Sequence, residues 1–242
     1  MIGLGTIINA IGALFGGILG LFAGKILKEP LQDILIRASG IAYIFIGAAG
    51  ALQRLLTIQG NSLAVSGTMM MILSLCIGAV VGTVINIEFR MEQFGAWLKA
   101  KSGNSRDRQF IEGFVTTTLM TCIGAMAIIG PINDALHGDY SILITKAFLD
   151  CILVFIYTSK LGRGCIFSVI PLLLIQGGIT ALAKIIAPIM TPLAISNLSL
   201  VGSILIFCIG VNLAFDKKLK VANMLPSLII AVLYAFLPVE NI

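Results

Sequence analysis

One acidic and one basic residue stand close together in the fifth apolar run of the sequence. Asp150 is the only acidic residue well inside such a run, and Lys146 precedes it by four residues. Residues four apart share one face of a helix, so the two side chains can pair. An ionised residue at mid-membrane depth is costly unless paired or hydrated, and such residues usually mark the path of an ion or substrate. The spacing favours a proton- or cation-binding carboxylate; a structural pair that fixes helix packing is the alternative.

Amide side chains in other apolar runs could act with this carboxylate. Gln176 is followed by Gly177 and Gly178 in the middle of the sixth run, and paired glycines weaken a helix. A broken helix there would expose backbone groups that bind substrate, whereas an intact but bent helix is the alternative. Three asparagines could hydrogen-bond between helices or coordinate an ion through their carbonyl oxygens: Asn9, Asn86 and Asn212.

Two further acids lie just before the fifth run. Gly130 and Pro131 are predicted to end the fourth run, which places Asp134 and Asp139 at the outer mouth, where they could attract cations. A solvated turn explains them almost as well. The chain has one histidine, which by itself makes neither a metal site nor a catalytic triad.

Glycines repeat at a spacing of four in the first apolar run. Gly12, Gly16, Gly20 and Gly24 form a ladder on one face of the predicted helix. Because glycine has no side chain, another backbone can approach closely there. The ladder therefore predicts a helix–helix contact, within one subunit or between subunits, in preference to a substrate-lining surface.

These residues must be positioned by membrane-spanning helices. The chain is 58% hydrophobic and 11% charged, too few polar residues to cover a soluble core of this size. A helix needs about 20 apolar residues to cross a bilayer. The sequence predicts a single all-α integral membrane domain over 1–242, a helical bundle of about eight spans: 2–24, 38–56, 63–87, 113–132, 141–159, 164–187, 197–215 and 222–237.

Basic residues alternate between the predicted connections. They follow spans 1, 3, 5 and 7: Lys25, Lys28, Arg37, Arg90, Lys99, Lys101, Arg106, Arg108, Lys160, Arg163, Lys217, Lys218 and Lys220. The even-numbered connections hold almost none, with Arg54 as the exception. Since basic loops stay in the cytoplasm, both termini are predicted to face outward.

Short internal matches raise the question of a repeat. Ile46-Gly47 and Ile209-Gly210 end similar apolar runs in predicted spans 2 and 7, which have opposite orientation. A genuine match would give an inverted repeat, an arrangement that many secondary transporters share. A chance match between apolar helices is the alternative.

The order of several motifs resembles a known family. The motifs are Gly5-Thr6-x-x-Asn9, the glycine ladder, Pro131-x-x-Asp134, Gly138-Asp139, Lys146-x-x-x-Asp150, Gln176-Gly177 and Val221-Ala222-Asn223-Met224-Leu225-Pro226. Together they resemble domain-of-unknown-function family 554, bacterial multi-pass membrane proteins, over nearly the whole chain. Ala135 stands where the family leads us to expect glycine. The resemblance implies a protein of the bacterial cytoplasmic (inner) membrane, often guessed to be a transporter, and implies no substrate.

The sequence predicts a gradient-driven transporter of a small solute or cation. There is no nucleotide-binding loop. An ion channel, or a structural or assembly subunit, is the alternative, and a homo-oligomer is left open. An intramembrane enzyme is disfavoured because no nucleophile–base or metal constellation is present. No cofactor and no metal are expected. Nucleic acid is rejected as a partner because the basic residues fall in short clusters between apolar runs.

Overall fold

The computed structural model describes residues 3–59, 62–103, 107, 109–217 and 219–237. The helices are α1 Leu4–Ile26, α2 Glu29–Leu55, α3 Thr68–Ile85, α4 Ile87–Lys101, α5 Phe110–Cys122, α6 Met126–His137, α7 Ser141–Leu161, α8 Val169–Ala181, α9 Ala183–Ile186, α10 Pro192–Phe215 and α11 Pro226–Tyr234. Short 3₁₀ segments cover Gly162–Ser168, Ala187–Ile189 and Val221–Met224. Antiparallel strands β1 Leu56–Gln59 and β2 Ser62–Val65 join α2 to α3. Several predicted positions lie outside the described residues: the span start at residue 2, the basic residues Arg106, Arg108 and Lys218, and both chain termini.

The helices confirm the predicted all-α polytopic membrane fold. In the described residues, 5 helical stretches are long and apolar enough to cross a membrane, or up to 6 if the bent pair α5 and α6 counts as one span. Large apolar side chains point outward, among them Ile26 at 79% and Phe45 at 71% exposure, which suits a surface solvated by lipid. The count of eight crossings stays a prediction.

Contacts divide the chain into two compact units, each built from two segments. The first unit contains Met1–Ala38 and Phe89–Ile186, and the second contains Ser39–Glu88 and Ala187–Ile242. The predicted single membrane domain thus comprises two contact units, and both α2 and α4 continue from one into the other.

Helix directions within the first unit follow from which residues meet. The glycines of α1 meet residues of α7 in the same order along both helices, so α1 and α7 are parallel. Hydrogen bonds between α1 and α8 run in the opposite order, so α8 is antiparallel to α1. The chain therefore reverses between α7 and α8, at Gly162 with a φ of 77° that favours glycine. The apolar stretch Ser141–Ala181 thus folds back on itself, in keeping with two predicted spans.

The second unit pairs its helices antiparallel. Gly40 meets Ala214 and Gly47 meets Phe207 where α2 packs on α10. Gly78 meets Ser227 where α3 packs on α11. The opposite directions of α2 and α10 are those that the predicted inverted repeat requires, although the repeat itself stays a prediction. Predicted span 8 is shorter than expected, because it consists of the 3₁₀ segment Val221–Met224 and α11.

The broken helix lies in a different place from the one predicted. Helix α8 runs without interruption through Gln176, Gly177 and Gly178, so of the two alternatives that the sequence left open the unbroken helix is the one observed. Each glycine costs a helix only about 1 kcal/mol, which is less than the several kcal/mol for an unbonded backbone group in lipid. The break instead separates α5 from α6, which are bent by 56° near Gly124, where φ is 126°.

Pro131 does not end a helix as predicted. It lies inside α6, which continues to His137. Proline removes one N–H, but its fixed φ is compatible with a helix, so a helix held by tertiary contacts can contain it. Residues 29–37, which lie before predicted span 2, are continuous with it in the single helix α2.

Candidate substrate site in the first unit

The close contact between α1 and α7 positions the site. The carbonyl oxygens of Ala147, Cys151, Phe155 and Ser159 face the glycine ladder, one residue for each glycine. A Cβ atom on Gly12 would lie 2.9 Å from the carbonyl oxygen of Ala147, and a Cβ atom on Gly20 would lie 2.5 Å from that of Phe155. Only glycine allows this approach, so the ladder fixes the register of α1 against the helix that carries Lys146 and Asp150.

Lys146 and Asp150 form a buried ion pair halfway along α7. The Lys146 ammonium donates to both carboxylate oxygens of Asp150, at 2.9 and 2.7 Å. The two residues are 6% and 3% exposed. The spacing of four residues explains the pairing, and it is the contact that the sequence predicted. A buried pair of this kind is weak evidence for stability, because removing two charges from water can cost more than their attraction returns.

Two amide side chains from other helices join this pair. Asn9 of α1 donates through Nδ2 to Oε1 of Gln176 of α8, at 3.2 Å. The Asn9 side chain also lies close enough to the Asp150 carboxylate to interact with it. Asn9 is 0% and Gln176 1% exposed, and Asn9 Oδ1 and Gln176 Nε2 have no hydrogen-bond partner within the described residues. Three helices thus bring predicted site residues together around one carboxylate.

A pocket opens toward the end of the first unit where α1 begins. Its volume is about 440 Å³. Its lining comes from α1, α6, α8 and α9 and includes Ile7, Leu136, Leu173, Gly177 and Lys184. A Cβ atom on Gly177 or Gly178 would meet nothing within 4 Å, so these predicted site residues serve no close helix packing here.

A pair of hydroxyl groups lies between this pocket and the amides. Thr6 and Thr180 both line the pocket, and their hydroxyl oxygens are 3.3 Å apart. Thr6 precedes Asn9 by three residues and Thr180 follows Gln176 by four, so each threonine lies one helical turn from an amide on the same face. From the pocket inward, the threonine hydroxyls come first, the amides of Asn9 and Gln176 come next, and the charged pair comes last. Sequence reasoning missed these threonines, although their helical spacing from Asn9 and Gln176 was a usable signal.

Asp134 is placed differently from the prediction. It is 0% exposed, and its Oδ2 accepts a hydrogen bond of 2.9 Å from the backbone N–H of Gly5. It therefore caps the first turn of α1 and does not stand at a solvated mouth. The reason is that α6 continues past Pro131 and carries Asp134 into the protein interior.

Asp139 is exposed in the connection between α6 and α7. Its carboxylate accepts a hydrogen bond of 3.0 Å from the backbone N–H of Ser141 at the start of α7. Hydrogen bonds from the hydroxyl and the N–H of Ser141 hold the pKa of Asp139 below its usual value. This residue is not among those brought together around Asp150.

The two remaining predicted asparagines belong to the second unit. Asn86 is an exposed residue that ends α3 with a φ of 54°. Asn212 of α10 holds the backbone of Leu219 through two hydrogen bonds of 2.8 and 2.9 Å. Each has a local structural role that accounts for an asparagine, since asparagine tolerates the left-handed region and its side chain mimics the backbone.

Buried polar groups continue on the other side of the ion pair. Cys122, at the end of α5, lies close enough to Lys146 and Asp150 to interact electrostatically with both. Further along α5 and α7, the hydroxyls of Thr117, Thr118 and Thr158 are buried. The interior of the first unit is therefore polar on both sides of Asp150.

Fold and site together define a polytopic α-helical membrane protein with a buried polar site at mid-helix depth. The chain belongs to the family described as "Protein of unknown function (DUF554)", whose model matches residues 4–236. It is similar to the "Uncharacterized membrane protein YdfK" of Bacillus subtilis (strain 168), with 34% identity over 93% of each chain. It is also similar to the "Uncharacterized protein YqgA" of Escherichia coli (strain K12), with 31% identity over 94% of each chain. No solved structure matches the chain.

Proposed function

We propose that the protein is a gradient-driven transporter of a small solute or ion that works by alternating access. It acts as a carrier and not as an enzyme. Its place is the bacterial cytoplasmic membrane, with the basic connections inside and both termini outside. The observation that carries this proposal is the buried Lys146–Asp150 pair, which meets Asn9 and Gln176 halfway along α7.

The polar cluster is costly for a protein that needs only a stable fold. A buried ion pair can often be replaced by apolar residues without loss of stability, and an unpaired buried polar atom costs about 1–3 kcal/mol. The first unit contains several such atoms, among them Asn9 Oδ1 and Gln176 Nε2. A ligand that binds here would supply their missing partners, which gives the cluster a use in binding.

The placement of the pocket favours a carrier over an open channel. The pocket reaches Thr6 and Thr180, and the next polar layer, Asn9 and Gln176, is buried. Access from one end that stops before the central charges is the arrangement expected when a site opens to one side at a time. A channel would instead need a continuous open path past Asp150.

Reconstitution of the purified protein in liposomes tests this proposal. We expect uptake of at least one solute from a panel of monovalent cations, amino acids and organic acids, driven by an imposed proton or sodium gradient. The Asp150→Asn variant should lose this uptake. Asp216→Asn is the matched control, because Asp216 is exposed and has a φ of 51°, which asparagine adopts readily.

Two outcomes would contradict the proposal. Uptake by Asp150→Asn equal to that of the unchanged protein would remove the central carboxylate from the mechanism. Single-channel currents in planar bilayers, without gradient-driven accumulation, would identify a channel, since a carrier turns over too slowly to give resolved currents.

A further inference from the structure

The Lys146–Asp150 pair carries no net charge, and this restricts what can bind to it. Both side chains are almost fully buried, so an added charge is strongly disfavoured in this medium. A cation that bound Asp150 while Lys146 kept its proton would leave one excess positive charge. A cation that binds as Lys146 loses its proton leaves the site neutral. Building on the proposed function, we propose that this site exchanges one monovalent cation for one proton.

The neighbouring groups offer oxygen ligands for such a cation. Asn9 Oδ1 is buried and has no hydrogen-bond partner within the described residues. If both amides were turned over, the oxygen of Gln176 would be the free one, so one amide oxygen is available in either case. Carboxylate and carbonyl oxygens are the ligands that hard cations such as Na⁺ prefer.

The charge of the site selects a monovalent ion. One carboxylate surrounded by neutral oxygens balances one positive charge and leaves a divalent ion half compensated. In the part of the chain that the structure describes, no group of three or more His, Cys, Asp and Glu could hold a metal ion. A divalent cation at Asp150 would keep an uncompensated positive charge in this buried site, which is strongly disfavoured.

The exchange step conserves charge and atoms. On the side to which the site is open, the Lys146 ammonium releases one proton to water and moves off Asp150 as a neutral amine, and the cation takes its place at the carboxylate. On the other side the cation leaves, and the amine takes up a proton and pairs with Asp150 again. One cation crosses in one direction for each proton that crosses in the other, so no net charge moves.

The titratable groups around α7 bear on which side chain exchanges the proton, and we assign this exchange to Lys146. Among the described residues of the elements packed along α7, the titratable side chains are Lys25 of α1, Glu112 and Cys122 of α5, Asp134 and His137 of α6, and Arg163 and Cys165 of the following 3₁₀ segment. Of these, Cys122 interacts electrostatically with the pair, and α8 contributes the uncharged Gln176. Asp33 pairs with Lys160 near the far end of α7.

The experiment uses liposomes that contain the full-length protein and a trapped pH-sensitive dye, with K⁺ and valinomycin holding the membrane potential at zero. We expect external NaCl to raise the internal pH, with uptake of ²²Na⁺ in equal amount. A membrane potential imposed in either direction should leave the rate unchanged, because the exchange is electroneutral. Choline chloride should give no response.

Two variants of Lys146 separate its role from a structural one. Lys146→Arg keeps a positive charge that pairs with Asp150 but does not release its proton, since arginine has a pKa above about 12. We expect it to lose the exchange while retaining the unfolding temperature of the unchanged protein. Lys146→Gln removes the proton carrier, so ²²Na⁺ uptake should occur without a pH change and should follow the membrane potential. Asp216→Asn remains the matched control.

The results distinguish this inference from the proposed function. Full exchange by Lys146→Arg would overturn the proposed exchange of a cation for a proton. So would ²²Na⁺ uptake by the unchanged protein that follows the membrane potential without proton movement. In both cases the proposed transport function would still stand. The same holds if an organic solute is taken up and Na⁺, K⁺ and Li⁺ are not. If no solute or cation moves, both proposals fail together.

Discussion

Two buried carboxylates of the first unit are held in different ways. Asp150 is paired with a charged ammonium, whereas Asp134 accepts a hydrogen bond from the backbone N–H of Gly5. That N–H belongs to the first turn of α1, where backbone donors have no partner inside the helix. The first carboxylate can exchange its partner for a ligand, while the second fixes the position of a helix end.

The role of Asp134 as a helix cap can be tested with two substitutions. Asp134→Ala leaves a buried N–H without an acceptor and should lower the free energy of unfolding by about 1–3 kcal/mol. Asp134→Asn retains an oxygen acceptor and should lose clearly less. Thermal unfolding in detergent micelles measures both, and hydrogen exchange of the first turn of α1 should be faster in the alanine variant alone. Equal stability of the two variants would contradict the cap.

At the scale of single residues, the sequence predicted what local spacing determines. The contact between Lys146 and Asp150 follows from four residues of helix. The contact between Asn9 and Gln176 joins helices 167 residues apart, and no local pattern encodes such a pairing. Asp134 was misplaced because Pro131 was read as the end of a helix, whereas tertiary contacts carry α6 past it.

At the scale of helices, the glycine ladder sets how closely α1 approaches α7. A methyl group on Gly16 would overlap the carbonyl of Cys151, which is backbone and has little freedom to move. We expect Gly16→Ala to force the helices apart and to lower the free energy of unfolding by about 1–3 kcal/mol, as overpacking does.

Gly178→Ala is the matched control for this substitution. It makes the same chemical change inside a helix, but nothing lies within 4 Å of the added Cβ. Because alanine favours a helix more than glycine does, this variant should be at least as stable as the unchanged protein. Thermal unfolding in detergent compares the two, and a stable Gly16→Ala variant would show that the contact between α1 and α7 is looser than described.

The breaks between helices were harder to predict than the helices. Glycine and proline in the sequence suggested breaks at Gly177 and Pro131, but both residues lie inside helices. The actual bend is at Gly124, one of many glycines in apolar runs. In a membrane, unpaired backbone groups cost more than unfavourable helix propensity, so packing decides which glycine becomes a break.

At the scale of the whole molecule, charge and helix direction are consistent with the predicted topology. Near the end of α7, Lys160 pairs with Asp33 of α2, which brings two of the predicted cytoplasmic connections together. The reversal at Gly162 would then return α8 to the outer side. This arrangement keeps the alternation of basic and non-basic connections that the positive-inside rule requires.

Cysteine labelling tests this topology in cells. In a variant whose five cysteines are replaced by alanine, we expect single cysteines at Lys101, Arg163 and Lys220 to react with a membrane-impermeant maleimide only in inverted vesicles. Single cysteines at Ser66 and His137 should react in intact cells. All five positions are exposed in the structure, so access depends on the side of the membrane.

Arg163 is the decisive position among these five. If 141–181 crossed the membrane once, as a single straight segment of 41 residues, it would be about 60 Å long, twice the hydrocarbon thickness. A fold-back at Gly162 leaves Arg163 on the same side as Lys101 and puts α7 and α8 in two crossings. Labelling of Arg163 from outside, together with His137, would remove the alternation of basic connections.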